Sequence, residues 1–131
     1  MNPYRANRPV FDASAVLALM PGEPGSERLK NLQAAAVVNA VNAAEVLAEL
    51  VSRGVPPGEA QAAYDALPLE TTAFEPLMAA VSARYVSKGV SLEDRCFLAA
   101  AHRHGSRPDG LRSEIWGRYL ESRVPPLNFF R

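Results

Sequence analysis

Apolar residues along this chain fall into short blocks that alternate between two periodicities. Val10-Phe11 and Val37-Val38-Asn39-Ala40-Val41 are brief, largely β-branched runs, the pattern of buried strands. Residues 69–74 make a third such run, with Thr71 and Thr72 favouring extended backbone. Between these blocks the apolar positions recur at helical spacing. Helices are predicted over residues 14–20, 26–35, 42–52, 57–66, 76–88 and 91–104. Ser26 can cap the second helix, where Leu29 and Leu32 lie one turn apart. Val46, Leu47 and Leu50 share one side of the third. Gly54, Gly89 and Gly105 stand where a left-handed residue ends a helix. Pro21-Gly22-Glu23-Pro24-Gly25 is a turn dense in breakers. Alternating strands and helices predict an α/β domain with a parallel sheet covered by helices.

Composition narrows the class. A chain of 131 residues is long enough for one domain with a real core, taken here as residues 1–131. The formal net charge is zero and the pI near 6.7, so bulk attraction to nucleic acid is excluded and any such contact needs a local patch. Arg103, Arg107, Arg112, Arg118 and Arg123 give the C-terminal third a basic bias that suits such a patch or a solvated surface. The single cysteine, Cys96, excludes an internal disulfide and fits a reducing compartment. No targeting run follows the N-terminus, and no apolar stretch approaches the roughly 18 residues of a membrane span. The expectation is a cytoplasmic protein without a membrane segment.

Three acids stand out by position. Asp12 follows the first predicted strand and Glu45 the second. A parallel sheet would bring both to its C-terminal edge, where open α/β sheets hold their sites. Adjacent strands lie about 4.8 Å apart, which places two such carboxylates within reach of one ion. Asp94 opens a helix that can return to the same edge. Capping is the competing explanation. Asn42-x-x-Glu45 and Ser91-x-x-Asp94 have capping-box spacing, and Asp12 immediately precedes a helix. Taken singly, each acid reads first as a cap. Taken together, three carboxylates with no lysine nearby suit a hard cation with oxygen ligands, Mg²⁺ or Mn²⁺. Such an ion activates water and holds a phosphodiester for in-line attack.

Val10-Phe-Asp12-Ala-Ser14-Ala-Val-Leu-Ala-Leu19, Val41-Asn-Ala-Ala-Glu45-Val46 and Gly89-Val-Ser-Leu-Glu-Asp94-Arg-Cys-Phe-Leu-Ala-Ala-Ala101 resemble, in order and spacing, the three main motifs of PIN domains. The likeness is nearest to the VapC-like toxins of bacterial type II toxin–antitoxin pairs and spans residues 10–105. It implies a Rossmann-like parallel sheet flanked by helices and a Mg²⁺-dependent endoribonuclease. It also implies a protein that is often a homodimer and is neutralised by a small antitoxin. Under this resemblance Asp12, Glu45 and Asp94 match the metal-binding, catalytic acids, and Ser14 matches a polar position beside the first. Arg95 is placed either to contact an RNA phosphate or to pair within the fold.

The chain then departs from the family pattern. PIN domains usually continue into a buried strand ending in a fourth acid, in a form like Gly-x-Pro-Val-Leu-Thr-Ala-Asp. Here Gly105 is followed by the polar stretch Ser106-Arg107-Pro108-Asp109-Gly110-Leu111-Arg112-Ser113. Asp109 is the candidate fourth acid, and Glu114 lies nearby, but neither falls on the pattern. One set of codons for residues 106–111, read one base later, encodes Pro-Val-Leu-Thr-Ala, the strand expected there. The nucleotide sequence of the gene decides whether the frame has changed. Residues 114–120 predict a short helix and residues 125–130 an edge strand. His102 and His104, two apart on one helix, point to different faces and do not form a metal pair. Cys96, in an apolar run, reads as a small core residue, and Trp116, Phe129 and Phe130 read as packing residues. Two other functions compete. One is a catalytically impaired PIN-like binding protein, which the altered stretch favours. The other is a phosphoacceptor receiver module, which wants a lysine after a late strand; the two lysines, Lys30 and Lys88, both fall in predicted helices.

Overall fold

A computed structural model describes residues 9–20 and 36–103 of the chain. In order they form α1 (Ala13–Ala18), β1 (Val37–Asn39), α2 (Ala40–Ser52), α3 (Pro57–Asp65), β2 (Glu70–Thr72), α4 (Pro76–Ser82), a 3₁₀ turn (Ala83–Tyr85) and α5 (Leu92–Arg103). The helix expected over residues 26–35, and every expectation from His104 onward, including Asp109, lie outside the described residues. Among the described residues no helix is long and apolar enough to cross a membrane.

β1 is the axis of the sheet. It pairs in parallel with β2 in the register Val37–Glu70, Val38–Thr71 and Asn39–Thr72, and bridges in parallel to Val10. Phe11 N–H donates to the Val37 carbonyl and Val37 N–H to the Pro9 carbonyl, both at 2.9 Å. Asp12 and Asn39 each stand two residues beyond the Val10–Val37 bridge, so both leave the sheet at its C-terminal edge. The parallel α/β arrangement expected from the alternation of blocks is the one found.

Strand side chains point alternately to opposite faces, and this divides the core in two. Val10 and Val37 face Met78, Tyr85, Phe97 and Leu98 of α4, the 3₁₀ turn and α5. Phe11 and Val38 face Val16, Val46, Leu50, Ala60 and Tyr64 of α1, α2 and α3. Burial on both faces explains why β1 and the Val10-Phe11 segment read as unbroken apolar runs. Six consecutive residues of α5, from Cys96 to Ala101, are buried, so this helix is enclosed rather than amphipathic.

The helix expected over residues 14–20 is Ala13–Ala18 and the strand expected over residues 69–74 is Glu70–Thr72; two further boundaries differ for a local reason. The second strand stops at Asn39 rather than Val41, because the Asn39 side chain accepts from Val41 N–H and Asn42 N–H and starts α2 there. The helix expected over residues 76–88 ends at Ser82. The Ser82 hydroxyl donates to the Ala79 carbonyl at 2.7 Å, competing with the helical ladder. Tyr85 then turns into the core and Val86 is extended. Lys88 therefore sits in a turn beside Gly89, whose φ of +82° suits glycine alone among the residues there.

Candidate active site

Two of the three expected acids begin helices. Asp12, buried at the end of the first extended segment, accepts from Ala15 N–H at 2.8 Å through Oδ1 and caps α1. Ser14, the polar residue beside the first acid, donates to the same oxygen at 2.9 Å, so its hydroxyl holds the Asp12 carboxylate. Asp94 is equally buried. Its N–H donates to Ser91 Oγ at 3.1 Å, while Ser91 N–H donates to Asp94 Oδ2 at 3.3 Å. This is the reciprocal capping box expected from the spacing, with Asp in the acid position.

Glu45 is different. The box expected at Asn42-x-x-Glu45 does not form, because α2 begins at Ala40 and its cap is Asn39. Asn42 occupies the third helical position, and Glu45 lies roughly a turn further on. With the helix end already satisfied, the Glu45 carboxylate is left to other partners. It accepts at Oε1 from Asn42 Nδ2 at 3.2 Å. Burial pushes its pKa above the ordinary carboxylate value, the Asn42 hydrogen bond draws it down, and the charges of Glu93, Asp12 and Asp94 push it up again. The sequence-distant acids Asp12, Glu45 and Asp94 thus share one electrostatic neighbourhood, with Glu93 as a fourth member.

Asn39 and Glu93 were missed as members of this neighbourhood. Asn39 carried only a weak signal: asparagine is a common cap, but the apolar run continues past it through Ala40 and Val41. Glu93 carried none, since an acid in the first turn of a helix is ordinary.

The other candidates take structural places. Arg95 donates through Nη1 to the Val90 carbonyl at 3.3 Å, tying the turn before α5 to the helix. Cys96 is buried, and burial pushes its thiol pKa up, away from the range of a reactive thiolate. His102 is half-buried near the end of α5. The helix α3 contributes Ala60 to an open groove of about 470 Å³ with Leu47, Val51 and Pro57.

The donor chemistry fits a divalent metal. All four acids offer oxygen, the donor Mg²⁺ and Mn²⁺ prefer, and their mutual repulsion at Glu45 is what a cation would reverse. Among the described residues, no three His, Cys, Asp or Glu side chains are gathered into a set able to hold a metal as they stand. Asp12, Glu45 and Asp94 are therefore neighbours in charge without being a closed ligand set.

Known proteins supply the wider setting. The fold is similar to that in the crystal structure of Mycobacterium tuberculosis VapC20, a Sarcin-Ricin loop cleaving toxin, with a TM-score of 0.64 and 14% identity. The match covers 91% of this chain and 98% of that one. No curated protein matches by sequence. The family model of the PIN domain matches residues 10–107, ending within the polar stretch where the chain leaves the family pattern. The chain belongs to the PIN domain family.

Proposed function

We propose that this protein is a Mg²⁺- or Mn²⁺-dependent endoribonuclease of the toxin type, neutralised by a small antitoxin. One observation carries the reading: Asn42 Nδ2 lies 3.2 Å from both Glu45 Oε1 and the Glu93 carbonyl, so the Glu45 carboxylate of α2 is tied to the turn of α5 that carries Asp94. Membership of the PIN family and the likeness of fold to VapC20 support the same assignment.

Asp12, Glu45 and Asp94 would hold the ion. The chemistry supplied at such a centre is activation of water for in-line attack on a phosphodiester, with neutralisation of the phosphate's charge. Ser14 keeps Asp12 Oδ1 in place through its hydroxyl. The capping box of Ser91 and Asp94 fixes the first turn of α5 at the same neighbourhood. Arg95 follows directly and offers a cation for the RNA backbone when its hold on the Val90 carbonyl is exchanged. RNA as substrate, a homodimer as the assembly and the cytoplasm as the compartment belong to this reading.

The test is cleavage of RNA by purified protein with Mg²⁺ or Mn²⁺, compared with Asp12→Asn. The variant should be inactive and folded; equal cleavage by both removes the assignment. A second reading is a PIN-like binding protein without catalysis. It is favoured by the lack of a gathered ligand set among the described residues and by the family match ending at residue 107. Calorimetry at millimolar Mn²⁺ separates the two, since an impaired site gives no binding heat.

A further inference from the structure

Two buried asparagines join the start of α2 to the start of α5, and hydrogen bonding dictates which way each amide faces. Asn39 is fully buried and Asn42 is 1% exposed. Asn39 Oδ1 accepts from the N–H groups of Val41 (2.9 Å) and Asn42 (3.1 Å). An amide nitrogen cannot accept, so Asn39 Nδ2 is the atom that donates onward, to Asn42 Oδ1 and at 3.5 Å to the Cys96 carbonyl. Asn42 must then turn its oxygen to Asn39. Its Nδ2 faces two acceptors, Glu45 Oε1 and the Glu93 carbonyl, each at 3.2 Å. The relay starts on backbone amides held by the fold and ends on a carboxylate oxygen. Reversing either amide would set acceptor against acceptor inside the protein.

On the nuclease reading above, we propose that Asn42 is the positioning residue of this centre. It holds Glu45 Oε1 in one place and registers α2 against the turn of α5 that carries Asp94, with Asn39 setting its orientation. Glu45 has rotatable bonds and repulsive neighbours in Asp12, Glu93 and Asp94, so without a donor it swings toward solvent. Asn42 supplies that donor, and the same nitrogen grips the α5 backbone at Glu93, one residue before Asp94.

The experiment measures Mn²⁺ affinity by calorimetry and the Mn²⁺ line shape by electron paramagnetic resonance, on the full chain. It compares wild type with Asn42→Ala, Asn39→Ser and Glu45→Gln. Serine caps a helix about as well as asparagine, so Asn39→Ser keeps the start of α2 and removes only the onward donor. Both asparagine variants should bind Mn²⁺ about 10- to 100-fold more weakly with an altered line shape, the range seen when groups orienting a metal ligand are removed. A purely structural role lowers the melting temperature and leaves both metal readouts of the folded protein unchanged. Wild-type affinity in the two asparagine variants, with loss in Glu45→Gln, overturns the positioning role alone. Mn²⁺ binding absent from wild type, or unchanged in Glu45→Gln, overturns the nuclease reading itself. Should Asn42→Ala fail to fold, Asn39→Ser decides.

Discussion

The starts of α1 and α5 differ from the start of α2 in who satisfies the helix end. At α1 the acid itself is the cap, through Asp12 Oδ1. At α5 Ser91 and Asp94 cap each other. At α2 Asn39 does this work, and the acid that follows is released from it. The consequence is electrostatic. The Asp12 and Asp94 carboxylates are engaged by helix N–H groups, whereas Glu45, with one amide donor, has its pKa pushed up by burial and by the acids of the other two starts. A polar residue followed three later by an acid therefore has two meanings. At Ser91 and Asp94 it is a cap; at Asn42 and Glu45 it is a carboxylate and its holder.

The sharpest way to break this contrast separates charge from capping. Asparagine caps a helix as well as aspartate, so Asp12→Asn keeps the Ala15 N–H bond and removes the charge. RNA cleavage should fall at least about a hundredfold, since a ligand should matter no less than the groups that orient it. Asp94→Asn should behave alike. Thermal melting of both variants should stay near that of wild type. If cleavage also survives in both variants, the two acids are caps and nothing more.

The next effect is on stability. Asn39→Ala removes a cap worth about 1 kcal/mol. It also strips the donor from a buried Asn42 oxygen, an unsatisfied group costing about 1–3 kcal/mol. Denaturant unfolding should show a loss of about 2–4 kcal/mol, as the sum of those two effects. Ser91→Ala, at an exposed cap, should show about 1 kcal/mol or less. Equal losses at both positions would mean that α2 starts no differently from α5.

Much of this was legible in the chain. Short β-branched blocks between helical ones give a parallel sheet, because only strands buried on both faces can be apolar throughout. Val10 and Val37 on one face and Phe11 and Val38 on the other follow directly. Asp12 was placed at the correct sheet edge by the strand before it, and the Ser91–Asp94 box by its spacing. The start of α2 was not legible in the same way. Ala40 and Val41 continue the apolar run, so periodicity extends the strand past Asn39, and the cap is visible only once its side chain is seen turning back on the helix. Asn42 then passes for a cap when it is a tether. The 76–88 helix was over-extended because Ser82 looks neutral in sequence, while its bond to the Ala79 carbonyl weakens the ladder at that point. Glu93 could not be singled out, since its part depends on where α5 meets α2.

The smallest effect sharpens the contrast through pH. Glu45 has a folded-state pKa above the ordinary value of 4.5, from burial first and neighbouring acids after it. In the unfolded chain it titrates near that ordinary value. Below it both states hold the proton and Glu45 is neutral to stability. Between the two values only the folded state keeps the proton, and as pH rises through the folded value this advantage is lost. Glu45→Gln keeps an oxygen for Asn42 Nδ2 and removes the charge. Without metal, the variant should therefore melt slightly above wild type at pH 7, and the difference should shrink to nothing below about pH 4.5, where linkage ends. Millimolar Mn²⁺ should reverse the order at pH 7, because a ligand bound by the folded state alone stabilises the wild type and not the variant. A gain that persisted at low pH would trace Glu45 to packing, and the difference between the α2 start and its two counterparts would then be one of shape rather than charge.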